Sequence, residues 1–135
     1  MGKKGDRSGF TLVELMTVIM IVAILVAVVV PLMRGRIDAA KWSEGRAMMG
    51  TIATALRAYG AEKGDAGTWP PTLTQLGFVA GDLTGTYFDD ANFTWSADYD
   101  STVTPSLTYT ISCTPVRTTL VPGTVTLSHL GFWTP

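Results

Sequence analysis

Between Gly9 and Met33 the chain reads GFTLVELMTVIMIVAILVAVVVPLM, and no other stretch constrains its fold as much. From Leu15 to Met33 there is no charge, and Thr17 is the only polar residue. At about 1.5 Å of rise per residue, such a run is just long enough to cross the hydrocarbon of a bilayer as one helix. Glu14 stands at its start among Leu12, Val13, Leu15 and Met16, where a carboxylate that reached the bilayer centre would cost about 2.5–3.5 kcal/mol on insertion scales. A charge kept there needs a partner.

With 135 residues the chain has room for one small domain beyond the apolar run. From Glu62 onward Lys63 and Arg117 face Glu62, Asp65, Asp82, Asp89, Asp90, Asp98 and Asp100, so this distal part carries a net charge of −5. That balance disfavours a head that grips nucleic acid through its phosphates. Lys3, Lys4 and Arg7 precede the run while Arg34, Arg36 and Lys41 follow it, so the positive-inside rule barely orients it. Cys113 is the single cysteine, which excludes an intrachain disulfide, a multi-cysteine metal site and a haem attachment motif. A buried thiol in a strand is its expected state, with an intermolecular disulfide between exported subunits as the alternative.

The hexapeptide Gly9-Phe10-Thr11-Leu12-Val13-Glu14, between a short basic leader and an apolar helix, resembles the prepilin processing motif of type IV pilins and type II secretion pseudopilins. The resemblance implies cleavage after Gly9 by a prepilin peptidase, N-methylation of Phe10, and Glu14 as fifth residue of the mature chain. It places the leader in the cytoplasm. Pro31 falls where these families commonly carry a helix-breaking proline. An ordinary secretory signal fits poorly, because the run is long for its apolar region, no small-x-small site follows it and Glu14 interrupts its start. Myristoylation at Gly2 fails as well, since Asp6 stands where a serine or threonine is expected.

The expected organisation is a leader over residues 1–9, a transmembrane and assembly helix over 10–33, and a head over 34–135. Val26-Ala27-Val28-Val29-Val30-Pro31 is the weakest turn of the helix, because proline lacks an N–H and β-branched residues lose freedom there. In lipid the helix still holds, kinked in the isolated subunit, though it could unwind in a packed filament. From Leu32 to about Gly60 the pattern becomes amphipathic, with Ile37, Ala40, Met48, Ile52, Ala55, Leu56 and Tyr59 near one face. Trp42 either anchors this part at the membrane surface or packs in the core. Gly60 to Gly67 ends the helix in a loop, and Thr72 is placed to cap one helical turn after Pro70-Pro71.

Strands are expected at Phe93–Ala97, Leu107–Cys113 and Thr124–Leu130, with a short edge at Tyr87-Phe88. Strict alternation from Ser106 to Cys113 assigns Leu107, Tyr109, Ile111 and Cys113 to a dry face. The fold class is therefore α+β: a long helix, membrane-spanning in its first half and amphipathic in its second, packed on a small antiparallel sheet as in pilins.

His129 has no recognisable nucleophile partner, and no phosphate-loop, zinc or serine-hydrolase motif is present, so the chain reads as no enzyme. His129 is expected at the surface. Asp82, Asp89, Asp90, Asp98 and Asp100 could offer oxygens to calcium, as loops of some major pseudopilins do, but they lack EF-hand spacing. No cofactor is otherwise expected. The resemblance implies a filament subunit of a type IV pilus or type II secretion pseudopilus, resident in the inner membrane before assembly and then in a periplasmic or extracellular filament. Its implied partners are other filament subunits, the prepilin peptidase, an inner-membrane assembly platform and lipid. The alternatives are a non-polymerising single-pass protein with a small exported adaptor domain and, less favoured, a DNA-uptake pilin.

Overall fold

The computed structural model describes residues 9–116 and 120–135, so the leader before Gly9, and Arg117, lie outside the described residues. Helix α1 runs over Leu12–Lys63 and is followed by four strands, β1 at Phe93–Tyr99, β2 at Leu107–Cys113, β3 at Val125–Ser128 and β4 at Trp133–Thr134. They form one antiparallel sheet in the order β1-β2-β3-β4. The chain divides into two compact units, residues 1–36 and 37–135.

In the first unit the helix continues through Pro31, and every residue from Leu12 to Arg36 is exposed. An apolar run with no partner among the described residues keeps its backbone paired internally, which suits a surrounding that offers no hydrogen bonds. Among the described residues it is one helix long and apolar enough to cross a membrane.

In the second unit Trp42, Gly45, Met49, Ile52, Ala53, Leu56, Tyr59 and Gly60 form the buried face of α1. The expected stripe was displaced: Ile37 and Ala40 are exposed, while Met48 and Ala55 are half-buried. The glycines explain the offset. A Cβ on Gly45 would stand 3.0 Å from the Phe88 ring, so this position lets that ring lie against the helix backbone, while Gly60 is buried against Leu107, Trp69 and Tyr99, 3.4–3.5 Å from where its Cβ would be. Because Gly60 is packed, the helix continues to Lys63 before a short 3-10 turn at Gly64–Ala66.

Trp42 is a core residue, 1% exposed, with its indole N–H donating to the Pro122 carbonyl at 3.0 Å and its ring 5.0 Å from that of Phe88. After Pro71 the expected cap is present: the Thr72 N–H donates to Gln75 Oε1 at 2.7 Å, and the Gln75 N–H reaches Thr72 Oγ1 at 3.4 Å. The turn closes with Phe78 N–H bonded to the Leu73 carbonyl and Gly77 N–H to that of Thr74, a Schellman pattern that needs the positive φ of Gly77.

The sheet has the anticipated dry face on β2, with Leu107 half-buried at its start. Ile111 lies opposite Trp95 and Leu127, Cys113 opposite Phe93 and Val125, and Tyr109, Ile111 and Cys113 are buried. Tyr87-Phe88 is not a strand. Glu44 of α1 accepts hydrogen bonds from the N–H groups of Tyr87 (2.9 Å) and Phe88 (3.3 Å), which pins a loop and turns the Phe88 ring into the core. Strand β3 ends at Ser128 rather than Leu130, because a turn through Gly131, at φ +83°, reverses the chain into the unanticipated β4.

Burial pushes the Cys113 thiol up to about 12 from an ordinary 9.0. The stability carried by the neutral thiol is therefore complete below pH 9.0 and is lost as pH climbs through about 12. At neutral pH an alkylating reagent is expected to leave the folded chain unmodified and to add one label in denaturant, read by intact mass. Prompt labelling of the folded chain would contradict the buried state.

Candidate functional site

The candidate site is the start of α1. Thr11 is its N-cap and Glu14 its third residue: the Thr11 N–H and hydroxyl both donate to Glu14 Oε2, at 3.0 and 2.9 Å, and the Glu14 N–H donates to Thr11 Oγ1 at 3.3 Å. This is a capping box, in which two backbone donors left over at a helix start are satisfied reciprocally. Thr11 was missed as a functional partner of Glu14, although the spacing Thr-x-x-Glu is itself a capping signal. Glu14 Oε1 makes no hydrogen bond among the described residues, so the carboxylate keeps one oxygen for a further donor.

Phe10 is 84% exposed and Gly9 is exposed as well. A Cβ built on Gly9 meets no atom within 4 Å, so the folded chain does not require glycine there. Any requirement for it comes from a molecule that handles this bond. Beyond Glu14 the helix presents apolar side chains on all sides up to Met33, and Thr17 turns its hydroxyl back onto the Val13 carbonyl at 2.9 Å. Pro31 lies within α1, two residues before the end of that apolar surface.

The acidic residues of the head are dispersed. Asp90 accepts from the N–H groups of Gly81 (2.6 Å) and Leu83 (3.0 Å), Asp82 from that of Val79 (2.8 Å), and Asp89 from that of Ala91 (3.0 Å). Asp100 accepts from the N–H and hydroxyl of Thr102 at 2.8 and 2.6 Å, bonds that hold its carboxyl below the usual range. Asp98 is exposed on β1. Among the described residues no three His, Cys, Asp or Glu side chains gather into a group that could hold a metal ion. These carboxylates shape loops by accepting backbone hydrogen bonds. His129 is half-buried, with its backbone N–H donating to the Tyr109 carbonyl at 2.9 Å and its ring 6.3 Å from that of Tyr109.

A helix that opens on a capping glutamate and continues as bare apolar surface, together with a four-stranded antiparallel sheet, defines an α+β protein with one helix long and apolar enough to cross a membrane. The family described as the prokaryotic N-terminal methylation motif matches residues 4–30. Over 57 residues the chain is 42% identical to the type II secretion system core protein G of Pseudomonas aeruginosa, and the match covers 42% of this chain and 40% of that protein. No solved structure matches. The chain thus carries the prokaryotic N-terminal methylation motif and is similar over part of its length to a type II secretion core protein, a pseudopilin.

Proposed function

We propose that the chain is a structural, non-enzymatic filament subunit of a type II secretion pseudopilus or a type IV pilus. It enters the inner membrane through the apolar part of α1, is cleaved after Gly9 and methylated on Phe10 by a prepilin peptidase, and is then drawn by an assembly platform into a filament. The helices form the core of that filament and the heads its surface. The observation that carries this reading is the conjunction at the N-terminus: an exposed Gly9-Phe10 pair that the fold leaves unconstrained, then Glu14 with one free oxygen, then an apolar surface without a partner. No cofactor takes part, and the head has no role toward nucleic acid.

Intact mass of the chain recovered from its own membranes tests this. The expected product lacks residues 1–9 and carries one methyl group on Phe10, and Gly9→Val blocks the shortening. Cleavage of Gly9→Val at the same bond, or recovery of an uncut and unmethylated chain, would remove the processing step.

One observation favours a second reading, the non-polymerising single-pass protein. The capping box gives Glu14 a purpose within a single chain, so its presence alone does not require a neighbouring subunit. The charge of Glu14 has to be tested apart from its capping.

A further inference from the structure

Two exposed features of the second unit lie on opposite flanks of α1. On one flank the turn from β3 into β4 sets Leu130, Phe132 and Trp133 at the surface, with Phe132 67% exposed and the Arg46 guanidinium over the Trp133 ring, 5.8 Å from its centroid. On the other, Glu44 holds the backbone of Tyr87 and Phe88, and a hollow of about 300 Å³ is lined by residues 84–89 and Val116. Glu44 and Arg46 are two positions apart, about 200° around a helix, so the projecting ring and the hollow do not meet within one chain. Their charges are opposed as well. Residues 79–92 carry Asp82, Asp89 and Asp90 and no cation, while Arg46 forms no salt bridge among the described residues. Lys41, which lies over the Tyr87 ring, is already paired with Asp38.

We propose that the head docks onto a second copy of this chain, the Phe132 ring of one entering the hollow beside Tyr87 and Val116 of the next, with Arg46 brought toward Asp89. That the occupant is a second copy rests on the filament reading above. Aromatic rings beside arginine are the composition that dominates binding energy at interfaces, most of all where a ring fills a pocket. The opposed charges decide which flank meets which, since a hollow rimmed by aspartates accepts a ring flanked by arginine and repels a second acidic flank. Because ring and hollow lie on opposite flanks of α1, one neighbour does not satisfy both. Each copy that docks by its ring leaves its own hollow open, so the contact is heterologous and propagates from copy to copy instead of closing as a dimer.

Leu130→Cys, beside the ring, and Thr86→Cys, at the hollow, are placed in separately tagged full-length copies, expressed together and oxidised in their own membranes. A mixed disulfide is expected, and a chain carrying both cysteines is expected to give a ladder longer than dimers. Cys113 is buried and does not compete. Thr110→Cys, on the outer face of β2, is expected to form no disulfide with Thr86→Cys. Phe132→Ser is expected to lower the mixed disulfide about tenfold or more, and Arg46→Glu several-fold, with Arg46→Lys close to unchanged. All these positions are exposed, so near-UV circular dichroism should stay that of the unaltered chain. Absence of the mixed disulfide, indifference to Phe132→Ser, dimers as the longest product, or capture of a different protein by either cysteine would overturn the proposal. Intact mass and filament recovery from the same cells separate it from the filament reading. Processed filaments without the disulfide remove the docking alone, whereas the disulfide on an uncut chain removes the processing and leaves the docking.

Discussion

Glu14→Ala is expected to leave the chain inserted and cleaved but to abolish its recovery in sheared filaments. In the proposed assembly the positive amino terminus of Phe10 on an incoming subunit meets Glu14 of its neighbour, in surroundings where either charge alone is expensive. Removing one member of a buried pair costs about 3–5 kcal/mol, because the other stays charged and unpaired. At about 1.4 kcal/mol per factor of ten, that is a loss of at least a hundredfold in the assembly equilibrium. The capping box makes alanine an impure probe, since the helix start loses about 0.5–2 kcal/mol as well. Glu14→Gln resolves this. Its amide oxygen still accepts from Thr11, and glutamine serves at this position of a capping box, so the cap survives and the charge does not. Loss of filaments with both variants supports the pair. Normal yield with Gln and loss with Ala would assign Glu14 to helix capping and restore weight to the monomeric anchor.

In the head, Ile111→Ala is expected to have the largest effect on stability. Ile111 is fully buried at the centre of the sheet, between Trp95 and Leu127, and faces α1 within the core that includes Met49 and Ile52. Truncation there costs about 2–5 kcal/mol through lost burial and the cavity left behind. For a domain of this size each kcal/mol lowers the melting temperature by about 4–8 °C. Its neighbour Thr110 points outward, and Thr110→Ala is expected to move the transition little. Near-UV circular dichroism of the full chain in detergent reads both, because Trp42, Trp69 and Trp95 pack in or against the core. Equal destabilisation by the two substitutions would mean that the strand faces are reversed.

The strand β2 was legible because its period of two is a local property, and burial of Tyr109, Ile111 and Cys113 follows directly from it. The apolar helix and its processing motif were legible for the same reason, since contiguous residues carry them. The buried face of α1 was only partly read because the stripe was drawn through apolar side chains and left glycine out, whereas Gly45 gives room to the Phe88 ring and Gly60 is buried against Leu107, Trp69 and Tyr99. Nothing near Gly45 in sequence announces Phe88. Likewise Glu44 reads as an ordinary exposed helix charge, and its bonds to Tyr87 and Phe88 join residues more than forty positions apart. Strand β4 has two residues, too few to show any period. At the candidate site the role of Glu14 as a cap could be read from Thr11, but the motif that drew attention to Glu14 also offered a different reason for it.

The first buried residue of α1 is Trp42, and none before it enters the core of the head. The buried core of the head is therefore built from residues after the apolar segment. Under the proposed function, a subunit passing from lipid to a bundle of neighbouring helices would exchange one apolar surrounding for another. The same holds in reverse. Leaving the proposed filament would therefore require no repacking of the core of the head.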